Sequence, residues 1–250
     1  MIRITDVSFA HGAQQVLNKV DLTLEKGGIT ALVGANGAGK STLLSLIARL
    51  TPLQSGRIQV DDMQIGQCAT DLLAKRLAIL PQSSDVAPRL TVCDLVGFGR
   101  YPHHKGRPGP VDADMVERAL AEFDLHGLAA RQLDTLSGGQ RQRAQVAMTF
   151  AQDTDYLLLD EPLNNLDLAA SRALMQTLQR LAHDHGKTII VVLHDLNYAS
   201  RYADQLVALH QGQIAAQGHP AAVLAPDFLE TVFATRAEVQ ILNSRPMVQV

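Results

Sequence analysis

The sequence predicts an α/β fold, a parallel sheet covered by helices on both faces with an antiparallel β segment at the N-terminal end. Two observations carry this. Ile29–Val33, Leu77–Leu80, Tyr156–Leu159 and Thr188–Leu193 are short unbroken apolar runs that alternate with helical stretches, as strands buried on both faces do. Ile2–Thr5, Val20–Leu24 and Arg57–Val60 instead alternate apolar and polar residues, as half-exposed antiparallel strands do.

Ile29–Val33 runs into a glycine-rich turn. Ser41–Leu50 follows as an apolar helix that Pro52 is expected to stop. Pro81 closes the Leu77–Leu80 strand. From about Asp85 to Ala151 the chain reads as mostly helical. There Met115, Val116, Ala119, Leu120 and Phe123 share one helical face, with Glu117, Arg118 and Glu122 away from it. Tyr101–Pro110 reads as a Pro/Gly/His-rich loop. The expectation is a single domain over residues 1–250, with a helical subdomain of roughly 85–151 inserted in the α/β core.

Composition narrows the function classes. Lys+Arg is 22 and Asp+Glu is 25, a formal charge of −3, which lacks the basic excess of a nucleic-acid binder. No stretch approaches the roughly 20 apolar residues that span a bilayer, so a membrane role is expected to come through a partner. The two cysteines, Cys68 and Cys93, have no metal-ligand spacing and suggest a reducing compartment.

Gly34-Ala35-Asn36-Gly37-Ala38-Gly39-Lys40-Ser41 has the spacing of a phosphate-binding loop, with Thr42 continuing into the helix. Glycines let successive backbone N–H groups turn toward one point, and a helix N-terminus adds partial positive charge there. Lys40 is expected to reach the β- and γ-phosphates and Ser41 to ligate Mg²⁺. The flanking strand and helix favour this reading over an ordinary glycine-rich turn. Tyr156–Leu159 ends in Asp160-Glu161, at the sheet edge where open parallel sheets bind ligands. Asp160 is placed to hold Mg²⁺ and Glu161 to polarise an attacking water. His194 follows another strand and can hydrogen-bond a phosphate or the water. Gln82, also at a strand end, can ligate Mg²⁺ through its amide oxygen.

Leu136-Ser137-Gly138-Gly139-Gln140 decides the family. With the other strings in this order, the chain resembles the nucleotide-binding subunits of ATP-binding-cassette (ABC) transporters over essentially its whole length. The resemblance implies a P-loop NTPase (RecA-like) core, with ATP and Mg²⁺ as cofactors. Gly34–Ser41 resembles Walker A, Gln82 the Q-loop, Leu136–Gln140 the signature and Leu157–Glu161 Walker B. Leu166-Asp167 resembles the end of the D-loop, which implies that Asp167 belongs to the nucleotide-binding residues, and His194 resembles the H-loop. Ser137, Gly138, Gly139 and Gln140 gather N–H groups and a hydroxyl at a helix start expected over Gln140–Ala151. The resemblance implies that this end caps ATP held by the partner in a head-to-tail homodimer. It also implies transmembrane permease subunits, a substrate-binding protein that delivers cargo, and a peripheral place on the cytoplasmic face of the inner membrane.

One position departs from the family pattern. The residue that stacks on adenine, usually aromatic, falls at His11, with Phe9 nearby. Arg89–Pro102 and Val192–Asn197 with Arg201–Asp204 resemble the iron-chelate and vitamin B12 branch, siderophore import foremost, with haem and cobalamin import as alternatives. A soluble ABC ATPase of iron–sulfur cluster assembly is the rival class. A chromosome-associated member needs a long coiled-coil insertion, which this length does not hold. His103-His104 with Lys105 reads as a solvated loop or a partner contact rather than a metal site.

Overall fold

Period-two alternation places Ile2, Ile4, Leu22, Leu24, Ile58 and Val60 on one buried face of an antiparallel sheet. Its strands run in the order Gln14–Leu24, Ile2–His11, Arg57–Val60, Met63–Gln64. The register pairs Ile2 with both Leu24 and Val60, and Ile4 with both Leu22 and Ile58, so apolar side chains meet apolar side chains across both ladders. The computed structural model describes residues 1–82 and 89–249. The chain forms two units, residues 1–68 with the chain from Thr188 on, and residues 69–187.

In the first unit Gly28–Val33 lies between two parallel neighbours, Thr188–Val192 and Gln205–His210, and Gln213–Gly218 adds an antiparallel edge. Every residue of Thr188–Val192 is buried, which explains its unbroken apolar sequence. The helix after the glycine-rich turn is Lys40–Ile47, shorter than expected. Pro52 does not end it. Arg49 takes a left-handed conformation (φ 59°), its N–H donates to Leu46, and the Leu50 N–H donates to Ser45 at 2.8 Å. Those two bonds close the helix as a Schellman turn does, satisfying its last carbonyls. The unit ends in a hairpin, Glu238–Leu242 with Arg245–Gln249, that no strand pattern in the sequence had indicated.

In the second unit two strands pair in parallel, Leu77–Leu80 with Tyr156–Leu159. The helices are Thr70–Ala74, Val92–Phe98, Tyr101–His104, Pro110–Glu122, Gly138–Ala151 and Leu168–His183. The largely helical region is thus observed from Leu90 on; its expected first residues, 85–88, lie outside the described residues. Met115, Ala119, Leu120 and Phe123 are buried as their spacing requires, and Phe123 meets Phe150 with ring centroids 5.8 Å apart. At Gly99 a Cβ atom would lie 2.1 Å from the Met148 carbonyl oxygen, so glycine permits the close helix approach there. Tyr101–Pro110 is not all loop. Pro102 sits in the first turn of Tyr101–His104, and the ring of His103 lies 2.8 Å from the Gln152 carbonyl. That contact gives His103 a structural role, and among the described residues no three His, Cys, Asp or Glu side chains gather as a metal site.

Buried Arg100 ties these helices together. Its guanidinium donates to Asp112 at 3.1 Å and to the Ala151 carbonyl at 2.9 Å. Asp112 also accepts the Gly109 N–H at 2.9 Å. The Gly109 bond above all holds the Asp112 carboxyl below its ordinary value against the next-largest effect, burial, with Arg100 and then His104 adding to the lowering. A depressed carboxyl stabilises the fold above the unfolded-state pKa and loses that contribution as pH falls through the folded one. Asp112→Asn is therefore expected to lower the urea midpoint at neutral pH, with the gap from wild type closing in acid. Parallel urea titrations across pH check this.

Candidate functional site

The glycine-rich turn is built for close approach. Gly34 has φ 146°, and a Cβ there would lie 2.2 Å from the Leu209 carbonyl oxygen. Gly39 has φ 101°, and a Cβ there would lie 2.6 Å from Leu17 and 3.0 Å from the Val16 carbonyl. Both positions therefore exclude other residues on sterics and backbone angle together. Gly39 caps Lys40–Ile47 without a side-chain cap, so no capping side chain takes up the first-turn N–H groups. Lys40 is only 5% exposed, and its ammonium donates to the carbonyls of Gly34 at 2.8 Å and Ala35 at 3.0 Å. The lysine is thus folded over the loop, with its charge above the same turn whose N–H groups suit an anion.

His194 is placed by strand register. Leu32 pairs with Val192 in parallel, which sets Gly34 and His194 level at the same strand ends. The Leu193 N–H donates to the Leu32 carbonyl at 3.1 Å, one residue before the exposed imidazole. His11 ends the first strand. Its ring stands edge-on to Phe9 at 4.9 Å, and Phe9 is buried while His11 is exposed. Of the two candidates for adenine, only His11 therefore offers a free face to solvent.

The same logic operates in the second unit. Leu80 pairs with Leu159, and the Asp160 N–H continues the ladder to the Leu80 carbonyl at 2.9 Å. Two residues further along each strand, Gln82 and Glu161 meet, the Gln82 amide donating to Glu161 Oε2 at 2.9 Å. Asn164 donates to the same oxygen at 2.5 Å. Asn164 is the residue that sequence reasoning missed. It reads as a loop variation until the turn Glu161–Asn164, closed by an N–H to carbonyl bond of 3.2 Å, brings it back onto the carboxylate. Glu161 itself is left-handed at φ 51°, a strained state for a non-glycine residue that clusters at functional sites. Asp160 is 5% exposed.

Ser137-Gly138-Gly139-Gln140 opens the helix Gly138–Ala151, two residues earlier than expected. Ser137 Oγ accepts the Gln140 N–H at 3.3 Å, and Gln140 Oε1 accepts the Ser137 N–H at 3.1 Å, a reciprocal capping box. The glycines face the loop after Glu161. A Cβ on Gly139 would lie 3.3 Å from Leu166 and one on Gly138 3.6 Å from the Asn165 carbonyl. Asp167 caps the next helix by accepting the Ala170 N–H at 2.7 Å. Signature and D-loop therefore pack together within this unit.

A phosphate loop, two acids after a strand, and a serine-capped glycine helix start make one recognisable set. The family described as ABC transporter matches residues 17–164. The chain belongs to the ABC transporter family. It is an ATPase of that family, and no helix among its described residues is long and apolar enough to cross a membrane. The petrobactin import ATP-binding protein YclP of Bacillus subtilis is 44% identical over 98% of this chain and 97% of its own. The iron(3+)-hydroxamate import ATP-binding protein FhuC of Bacillus subtilis is 39% identical over 93% of this chain and 87% of its own. The hemin import ATP-binding protein HmuV of Bordetella pertussis is 39% identical over 95% and 94%. Among solved structures, the dimeric ATP-binding cassette MJ0796 bound to ADP and Pi superposes with a TM-score of 0.78 at 26% identity, covering 88% of this chain and 98% of that one.

The ABC cradle of Gly34–Ser41 fits a nucleotide phosphate, because its N–H groups, its lysine and its steric demand for glycine converge on one turn. Gly34→Ala is expected to distort the cradle by a strain of about 1–3 kcal/mol and to weaken ATP binding by about tenfold or more. Titration with a fluorescent nucleotide checks this, with circular dichroism confirming the fold.

Proposed function

We propose that the chain is the ATP-hydrolysing subunit of an iron-siderophore importer, acting as a head-to-tail homodimer on transmembrane permease subunits. The observation that carries the cargo is the near full-length likeness to import subunits named for petrobactin and iron(3+)-hydroxamate. The likeness to a hemin import subunit keeps haem as the second reading. The dimeric cassette with ADP and Pi supports the two-fold assembly. A substrate-binding protein delivering cargo, and a place on the cytoplasmic membrane face, follow from the same reading.

In this reading Lys40 and the N–H groups of Gly34–Thr42 bind the phosphates, with His11 beside the adenine. Ser41, Asp160 and Gln82 hold Mg²⁺. Glu161 takes the proton of the attacking water, and His194 orients that water or the terminal phosphate. Bound ATP supplies the phosphoryl group, and Mg²⁺ neutralises charge on it. Ser137, Gly138, Gly139 and Gln140 serve the nucleotide of the partner copy, and Asp167 steadies the loop between them and Glu161. Gln82 is already on Glu161 at 2.9 Å, so a shift of its loop changes the position of the base.

The permease needs a seat. The second unit carries a groove of about 700 Å³ lined by Leu90, Cys93, Phe98, Arg100 and Val116, with Phe98 53% exposed. A groove with apolar walls and an ionic floor suits a short amphipathic segment of a membrane partner.

Glu161→Gln is expected to cut hydrolysis by about a hundredfold or more while leaving ATP binding intact. It is also expected to accumulate an ATP-dependent dimer, measured by light scattering; a variant that stays monomeric in saturating ATP and Mg²⁺ refutes the composite site. Reconstitution with the permease that co-purifies with the chain tests the cargo. Uptake of iron-siderophore complexes, but not of haem or cobalamin, is expected. Phe98→Asp is expected to release the permease, checked by co-purification.

A further inference from the structure

The last hairpin of the chain packs chiefly on one short helix, and more lightly on Pro220–Val223, and the first of these helices begins one residue after Asp195, next to His194. The helix is Leu196–Tyr202, capped by Asp195, whose carboxylate accepts the N–H groups of Asn197 and Tyr198. The Asn197 amide pairs with the Val248 backbone in both directions, donating to its carbonyl at 3.1 Å and accepting its N–H at 2.8 Å. Ser200 donates its hydroxyl to the Pro246 carbonyl. Arg245 donates to the carbonyls of Ser200 and Ala203 at 3.0 Å each, at the end of the helix where carbonyls lack partners. The hairpin turn, Asn243-Ser244, is left-handed at both residues, with φ 49° and 61°, as a tight two-residue hairpin requires. Pro246 and Val248 face inward while Met247 and Gln249 face out.

A helix of seven residues is too short to hold itself. On its upstream side the chain is fixed by the Leu193 bond to Leu32. His194 and Asp195 therefore join a strand locked into the sheet to a helix that packs on Gly28–Val33 and Pro220–Val223 and takes long-range side-chain hydrogen bonds from the hairpin. We propose that the C-terminal hairpin is a positioning clamp for His194, with Asn197 and Arg245 as its positioning residues. The clamp acts through the backbone that carries the imidazole. This rests on the reading of His194 given above. A displacement of about an ångström at a catalytic group is enough to cost one to two orders of magnitude in rate.

The test is a double-mutant cycle on ATP hydrolysis by the full-length chain, with nucleotide affinity measured in parallel. Arg245→Ala and Asn197→Ala are each expected to lower kcat by about tenfold with KM and nucleotide Kd within about twofold. In a His194→Ala background the same changes are expected to cost less than about twofold, since the residue they position is gone. Arg245→Lys, which can still donate to both carbonyls, is expected to restore most of the rate. If Arg245→Ala does not purify folded, Asn197→Ala carries the cycle alone. A full second loss in the His194→Ala background overturns the clamp, as does an unchanged kcat in both single variants. An unchanged kcat in His194→Ala overturns the reading of His194, and the clamp with it. A slow His194→Ala beside undisturbed Asn197→Ala and Arg245→Ala overturns the clamp alone.

Discussion

Parallel strand register is the constraint on which the rest depends. Parallel strands have all their C-terminal ends on one side, so loops leaving them emerge at one edge. In the first unit the pairing of Leu32 with Val192 makes Gly34 and His194 level. In the second the pairing of Leu80 with Leu159 brings Gln82 onto Glu161. Shifting either ladder by one residue would send every side chain to the opposite packed face, against neighbours it does not fit, and would part these pairs. The burial that stabilises the strands thus also fixes the spacing of the residues proposed for catalysis.

Several functional groups are already engaged by the protein itself. Lys40 lies on the carbonyls of Gly34 and Ala35, Ser137 and Gln140 satisfy each other, and Glu161 holds two amides. The buried Lys40 contacts are charge-assisted and the Ser137–Gln140 pair is neutral, at about 0.5–1.5 kcal/mol per bond, so these contacts hold side chains in place against the entropy of long rotamers. They also mean that a ligand exchanges one set of bonds for another rather than filling bare donors. That exchange couples ligand binding to movement in the loops that lend the internal partners.

The sequence showed the strands and the motifs because both depend on local pattern. Ile189–Val192 is apolar without interruption because the strand is buried throughout, and Gly34 and Gly39 are glycine because neighbours occupy the space of a Cβ. It misplaced what depends on distant or subtler partners. Pro52 suggested where the first helix ends, yet the left-handed Arg49 ends it earlier. Tyr101–His104 looked like loop because proline and histidines dominate it, while its helical turn depends on a contact with Gln152. Asn164 carried no signal, since its bond to Glu161 arises from the shape of a turn. The C-terminal hairpin was silent because Asn197 stood only within the Val192–Asn197 string and nothing local marks Arg245, until the fold sets them against Val248 and Ser200.

The first unit is assembled from two distant stretches of chain, with residues 69–187 between them. Its central strand, Gly28–Val33, finds both parallel neighbours only after that intervening stretch. On a ribosome, which makes the chain from its N-terminus, the phosphate-loop strand must wait unpaired on both edges while the whole second unit emerges. The second unit contains its own strand pair and can close first. Order of synthesis therefore delivers the signature helix before the two strands that flank the phosphate-loop strand, which until then keeps both of its edges open.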